Sequence, residues 1–236
     1  MTNGAAVVIG TYAAEEGEQS DSVVIGRFAG RYASNGFQNV FLGNNAGGGT
    51  TGVTTSPHYN TFVGYGSGSA IVDGDNNVFL GNQAGNTTTT GSDNILLGDQ
   101  VNASAATASN ELNIGDTIFG NLATNAIGIG VADATAIDTD AILELDATDK
   151  GFLAPRVSDP ATAIGTPATG MMAYDTATSR YQYYDGGAWQ DFGFGVGGDN
   201  LGNHTATTDL DMNNNNIVNP TVISFNGTTG AAAPTK

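Results

Sequence analysis

A short apolar segment that ends in glycine recurs along the first 130 residues, and its spacing constrains the fold more than any other feature. Eight copies occur, among them AVVIG (6–10), NVFLG (39–43) and NAIGIG (125–130). A period near 17 residues is too short for helical repeats, which need about 33 residues or more. The closing glycines are Gly10, Gly26, Gly43, Gly64, Gly81, Gly98, Gly115 and Gly130.

Each copy has the length and composition of a short β-strand, because about four residues of Val, Ile, Leu and Phe are too few for a helix. A strand, a glycine turn, a second segment such as NNAG (44–47) or NQAG (82–85), and a polar return loop complete one coil, here called a rung. The sequence therefore predicts an all-β chain with a parallel β-roll or β-solenoid shaft of about eight rungs over 1–137. We expect the glycines where positive φ or close backbone approach is needed.

The alternation of strand side chains predicts self-association. In NVFLG (77–81), Val78 and Leu80 point to one face and Phe79 to the other, and both faces are apolar. A coil of this size encloses too little volume to bury both faces. Three chains that press their second faces against a common axis would solve the problem, so we expect a homotrimer.

Asparagine opens six of the copies, and two structures are consistent with this pattern. Stacked in register, the side-chain amides would form a hydrogen-bonded ladder between rungs. Alternatively, each asparagine only tolerates the dihedral angles of a turn. Both interpretations are structural, and the residues are Asn39, Asn60, Asn77, Asn94, Asn110 and Asn125.

The composition changes near residue 138. Residues 138–195 hold the only Trp and a predicted β-hairpin, MMAYD (171–175) and RYQYYD (180–185), which indicates a small β domain. We expect residues 196–236 to be an extended C-terminal segment. The aromatic side chains of the small domain are expected to form its core, and the alternative is a receptor-binding patch that stacks on sugar rings. The core candidates are Tyr174, Tyr181, Tyr183, Tyr184 and Trp189, and the patch candidates are Tyr174, Tyr184 and Trp189.

The rungs over residues 5–130 resemble the head repeats of trimeric autotransporter adhesins and the shafts of related phage tail fibres. This resemblance implies a trimeric, left-handed parallel β-roll. The ordered pieces GFLAPR (151–156), PATG (167–170) and YDGGAW (184–189) are similar to a module of phage tail-fibre proteins. Residues 201–220 are similar to the segment that precedes an endosialidase-type chaperone in such fibres. We expect that this chaperone was cleaved off, that the chain is a fragment, or that trimers form without it.

Charge and motifs exclude several functions. A net charge of −17 argues against binding nucleic acid through phosphates, and there is no cysteine and no run of apolar residues long enough for membrane insertion. No G-x-S-x-G nucleophile occurs. We expect solvated loops, rather than catalytic sites, at the histidines and clustered acids: His58, His204, Glu15, Glu16, Glu18, Asp73 and Asp75. We expect no enzyme activity and no cofactor; DGDNN (73–77) is a weak match to a calcium loop, so a divalent cation is a minor alternative.

These observations together predict a structural and adhesive fibre subunit, in the first place a phage tail fibre that attaches to its host as a multivalent trimer. Its partners would be other tail or baseplate proteins and a host surface glycan or protein, and its location the virion. The alternatives are a bacterial surface adhesin, a purely structural extracellular filament and, third, a tailspike that depolymerises glycans.

Overall fold

The computed structural model describes residues 5–16, 19–53 and 55–192 of the 236-residue chain. Contacts divide the chain into residues 1–153 and residues 154–236, here called the solenoid unit and the small β unit. Almost all regular structure is β-strand, so the predicted all-β solenoid is confirmed. The division falls later than the predicted boundary between 137 and 138, because a strand at Leu143–Leu145 still pairs within the solenoid unit.

Seven short parallel strands form the body of the solenoid unit. Each strand pairs in register with the strand one rung earlier, so equivalent residues stack along the sheet. Three or four residues per rung are extended, which matches the short apolar segments of the sequence. The strands are β1 (Val7–Ile9), β2 (Val23–Ile25), β3 (Val40–Leu42), β4 (Thr61–Val63), β5 (Val78–Leu80), β6 (Ile95–Leu97) and β7 (Glu111–Ile114).

The middle residue of each strand from β2 to β6 is buried inside the coil. The rings of Phe41 and Phe62 stack with 5.2 Å between centroids, and those of Phe62 and Phe79 with 4.7 Å. The second segment of each rung lies against these rings. A Cβ atom at Gly68 would come within 2.5 Å of the Phe62 ring, and one at Gly85 within 2.3 Å of the Phe79 ring. Glycine is therefore required opposite each phenylalanine, because the close-packed core has no space for a methyl group.

The closing glycines form a column in which successive rungs nearly touch. From Gly10 to Gly98 their φ angles lie between +135° and +142°. A Cβ atom at Gly64 would lie 2.1 Å from the carbonyl oxygen of Gly81 in the next rung. Positive φ and close backbone approach, the two reasons expected from the sequence, thus act together from Gly10 to Gly81, whereas a Cβ at Gly98 would first meet the Val101 side chain. Gly115 and Gly130 adopt ordinary left-handed angles, with φ of +59° and +83°.

The eighth apolar copy does not stack directly on the seventh, so the predicted uninterrupted parallel stacking was wrong at this point. A strand that the sequence analysis missed, β8 (Ile118–Asn121), pairs antiparallel with both β7 and β9 (Ala126–Ile129). The chain reverses at Gly115 and Asp116, whose φ angles are +59° and +50°, because left-handed residues in a short loop close a hairpin. β10 (Leu143–Leu145) then pairs parallel with β9 and ends a ten-stranded sheet.

A column of buried asparagines joins four consecutive rungs beside the strands. Each Oδ1 accepts a hydrogen bond from the backbone N–H of the next member, at 2.9 to 3.0 Å. Each Nδ2 donates to a carbonyl oxygen of a return loop, at 2.7 to 2.9 Å. The ladder, one of the two structures predicted for the asparagines, therefore exists at Asn39, Asn60, Asn77 and Asn94.

Asn110 and Asn125 lie outside this ladder, in contrast to its predicted six members. Their φ angles are +61° and +59°, so they occupy left-handed turn positions, which is the other predicted structure. Glu111 takes the ladder position in β7, where its backbone N–H donates to Asn94 Oδ1 at 2.9 Å. Its buried carboxylate accepts a hydrogen bond from the backbone N–H of Ser104 at 2.8 Å, which ends the ladder.

The small β unit contains a four-stranded sheet in the order β11 (Arg156–Val157), β12 (Met172–Asp175), β13 (Arg180–Tyr184) and β14 (Trp189–Asp191). β12 and β13 pair antiparallel, which confirms the predicted hairpin. The described helices are one 3-10 turn in the solenoid unit, Ala134–Ala136, and α1 (Pro160–Ala163) in the small β unit. None of the described helices is long and apolar enough to cross a membrane.

Candidate functional site

The outward residues of the seven parallel strands form two aliphatic columns. Because strand side chains alternate, the residues on either side of each buried middle position point away from the coil. Parallel, in-register pairing stacks these residues from rung to rung. We call the two columns the aliphatic face: Val7, Val23, Val40, Thr61, Val78, Ile95 and Leu112, and Ile9, Ile25, Leu42, Val63, Leu80, Leu97 and Ile114.

The aliphatic face remains open to solvent in the single chain. Leu80 is 39% exposed and Val78 is half-buried, whereas Phe79 between them is fully buried, so the predicted alternation is confirmed. Thirteen of the fourteen residues are Val, Ile or Leu, and none is charged. With strands about 4.8 Å apart, the face is roughly 30 Å long. A continuous apolar surface of this kind marks an interface.

A second apolar surface lies on one side of the sheet in the small β unit. Met172, Tyr181 and Tyr183 are 47%, 43% and 37% exposed, and the ring of Tyr174 lies 5.0 Å from that of Tyr181. The predicted core position was wrong for Tyr181 and Tyr183 in the single chain, whereas Tyr174 is half-buried. The one helical turn of α1 is too short to cover both sides of the sheet. The register of the hairpin places Met172, Tyr174, Tyr181 and Tyr183 on the same face of the sheet. The alternation of side chains along each strand could have indicated this from the sequence.

Tyr184 and Trp189 lie on the other side of that sheet and line a cavity of about 510 Å³. Their ring centroids are 5.8 Å apart, and Asp159 and Gln182 add polar groups to the same cavity. The structure does not bring Tyr174 into this group, contrary to the predicted receptor-binding patch. Tyr174 pairs with Tyr181, three residues before Tyr184, and an odd number of residues along a strand leads to the opposite face.

The carboxylates of the small β unit are arranged as hydrogen-bond acceptors. The hydroxyl of Thr178 donates to Asp175 at 2.8 Å and holds the pKa of Asp175 below its usual value. Hydrogen bonds from Gln182 and Arg180 lower the pKa of Asp191 in the same way. The glycosidase general acid needs a raised pKa. These groups are ionised at neutral pH.

The acids singled out in the solenoid unit bind neighbouring rungs. Asp75 Oδ1 accepts from the backbone N–H of His58 at 2.8 Å, and Asp73 Oδ1 accepts from that of Ser56 at 3.2 Å. The imidazole of His58 stacks on Phe37, with 3.9 Å between ring centroids. His58, Asp73 and Asp75 therefore connect the return loops of neighbouring rungs.

The remaining candidates are scattered or lie outside the described residues. Glu15 forms an ion pair with Arg31 at 2.7 Å, and Glu16 is exposed. Glu18, His204 and the predicted chaperone-linked segment at 201–220 fall outside the described residues. Within residues 5–16, 19–53 and 55–192, no three His, Asp or Glu side chains lie close enough together to hold a metal ion.

Residues 128–216 match the family described as the phage tail like trimerisation region. The match begins in β9, includes every described residue of the small β unit, and covers less than half of the chain. It supports a structural, phage tail-type protein that assembles as a homotrimer and is associated with the virion or found outside the cell. The comparison with curated proteins and the comparison with solved structures gave no match.

Proposed function

We propose that this chain is a subunit of a homotrimeric phage tail fibre that attaches the particle to a host surface by multivalent binding. The observation that carries the proposal is the aliphatic face, with thirteen aliphatic residues in two straight columns and no charge. Two further copies of the chain would cover it. The trimerisation match at residues 128–216 supports three copies rather than two.

The two apolar surfaces would act in the same assembly. Burial of the aliphatic face removes Leu, Ile and Val side chains from water, at about 0.8 kcal/mol per buried CH₂ group. Met172, Tyr181 and Tyr183 lie within the matched trimerisation region, so we assign their open surface to contacts between copies as well. Both units would then contribute to the trimer.

Each subunit would carry one binding site for the host surface, so the trimer would carry three. The cavity beside Tyr184 and Trp189 is our candidate for contact with a host surface glycan or protein, because it combines two aromatic rings with the ionised carboxylate of Asp175. Three such sites on one particle raise the effective affinity by about 10² to 10⁴ without any new contact. Other tail or baseplate proteins would anchor the fibre at the particle.

The proposed role includes no catalytic step and no resident cofactor. It is supported by the structural contacts of Asp73, Asp75 and His58 and by the low pKa values of Asp175 and Asp191. Adhesion requires only that the surfaces persist and bind. The subunit would act on the virion, outside the cytoplasm of its host.

A charge in the aliphatic face is expected to dissociate the trimer. In Leu80→Asp, three carboxylates would be buried near the threefold axis, where each lacks a partner and repels the others. We expect the variant to sediment as a single chain at micromolar concentration while wild type sediments as a trimer. Fluorescently labelled variant should also be retained on susceptible bacteria roughly 100-fold less than wild type at equal chain concentration.

Gln100→Asp is the matched control, because it adds the same charge at an exposed turn position away from the aliphatic face. This control should remain trimeric and bind bacteria as wild type does. Leu80→Asp that remains trimeric would contradict the proposed interface. A dissociated variant that binds bacteria as strongly as wild type would contradict multivalent attachment.

A further inference from the structure

The first two rungs carry a patch of arginines and aromatic rings on the turn segment that follows the closing glycine. The rings of Tyr12 and Phe28 stack with 5.4 Å between centroids and 9° between planes. The Arg27 guanidinium carbon lies 4.2 Å from the Phe28 centroid, and that of Arg31 lies 4.9 Å from the Tyr32 centroid. We call Tyr12, Arg27, Phe28, Arg31 and Tyr32 the arginine–aromatic patch.

The backbone at the patch is strained for the side chains it carries. Tyr12 and Phe28 have φ angles of +60° and +62°, a region that bulky residues rarely adopt. Hydrogen bonds between rungs identify the equivalent positions further along the solenoid. Asparagine, glycine or glutamine occupies those positions, which are Asn45, Gly66, Gln83 and Gln100. The fold therefore does not require aromatic residues at these two positions, and strain of this kind is typical of functional sites.

The patch also concentrates the positive charge of the solenoid unit. The solenoid unit, residues 1–153, contains three Lys or Arg residues, two of them in the patch, and sixteen acidic residues. Arg31 pairs with Glu15 at 2.7 Å. Arg27 is exposed, and among the described residues it has no ion-pair partner. Tyr12 is 50% exposed, and its ring and the Arg27 guanidinium both lie against the ring of Phe28.

We propose that the arginine–aromatic patch binds an acidic saccharide of the uronic acid class. A uronic acid carries its carboxylate on the sugar ring, so one sugar can place its C–H face against an aromatic ring of the patch and its carboxylate against Arg27. Guanidinium binds a carboxylate through two parallel N–H···O hydrogen bonds, which a neutral sugar cannot form. The negative field around the patch disfavours long polyanions and leaves short-range recognition of single acidic sugars.

The test is a titration of purified full-length protein with trigalacturonate, with maltotriose as the neutral probe. The double variant R27N/F28N installs the Asn-Asn pair that the next rung carries at 44–45, so the fold tolerates it. We expect wild type to bind trigalacturonate and not maltotriose, and the double variant to bind at least about tenfold more weakly. Its melting temperature should fall by no more than about 2 °C, because strain at Phe28 is relieved.

Tyr65→Asn is the matched control, because Tyr65 is 57% exposed at the position equivalent to Arg27 but lies two rungs away from it. This variant should bind trigalacturonate as wild type does. Three results would overturn the proposal: no binding by wild type at about 10 mM, equal binding of maltotriose, or unchanged binding in the double variant. The assay uses neither host cells nor particles, so its outcome is independent of whether the trimer mediates attachment.

Discussion

Replacement of Gly64 by alanine is expected to destabilise the solenoid unit severely. The new Cβ would lie 2.1 Å from the carbonyl oxygen and 2.6 Å from the carbonyl carbon of Gly81, and φ at this position is +136°. The overlap is with backbone, which has no flexible end to move aside. Both rungs would have to separate, which breaks the parallel ladder on one side. We expect a loss of more than about 4 kcal/mol in the free energy of unfolding.

Urea unfolding followed by far-ultraviolet circular dichroism would measure this loss. Gly52→Ala is the control, because Gly52 also has a positive φ of +75°. A Cβ atom added at Gly52 would have no described heavy atom within 4 Å. We expect the control to lose only about 1 kcal/mol. Similar losses of unfolding free energy in the two variants would contradict the close backbone contact between successive rungs at the glycine column.

Removal of one buried amide from the asparagine ladder is expected to have the second largest effect. In Asn77→Ala, the backbone N–H of Asn94 loses its acceptor at 3.0 Å, and the carbonyl oxygen of Gly91 loses its donor at 2.9 Å. Asn77 and Asn94 are fully buried, so water does not replace these bonds. Two unsatisfied buried groups and a small cavity predict a loss of about 4 kcal/mol.

Asn125→Gly tests whether the effect belongs to the ladder rather than to asparagine in general. Asn125 is exposed in a left-handed turn that glycine adopts readily, so its replacement should change stability by less than about 0.5 kcal/mol. Guanidinium chloride unfolding of both variants would compare them directly. An equally small effect of Asn77→Ala would contradict the hydrogen-bonded ladder.

The sequence was sufficient to predict the parallel part of the fold, because each rung repeats the same physical requirements. A short apolar segment, a glycine and a period near 17 residues define where strands stack and where backbones touch. Gly64 and Phe79 illustrate this, since the first can only be glycine and the second must be buried. The hairpin of β12 and β13 was also predictable, because its two strands flank a short polar turn.

The end of the solenoid was not predictable from the repeat alone. NELNIG and NAIGIG look alike, but the chain reverses after the first of them at Gly115 and Asp116. A short apolar segment predicts a strand, but it does not indicate whether that strand pairs parallel or antiparallel with its neighbour. The sequence also did not indicate that Asn110 lies outside the ladder. β7 begins one residue later, at Glu111, and Glu111 occupies the buried ladder position beside Asn94.

The candidate sites were only partly predictable because burial depends on what covers a surface. Tyr181 and Tyr183 are large aromatic residues of the kind that usually form a core. The small sheet and its one short helix nevertheless leave both side chains exposed to solvent. The apolar segments of the rungs do not indicate the arginine–aromatic patch, because its residues lie in the turns that follow the closing glycines. A comparison at the turn positions would have found Tyr12 and Phe28 where other rungs have asparagine or glutamine.

In the proposed assembly, the solenoid hides one apolar face within the coil and shares the other among three chains. Sedimentation equilibrium of the full-length protein at micromolar concentration tests this most directly. The account predicts a single species of three times the 23.8 kDa chain mass, which stays assembled on dilution. A folded species with the mass of one chain would contradict it.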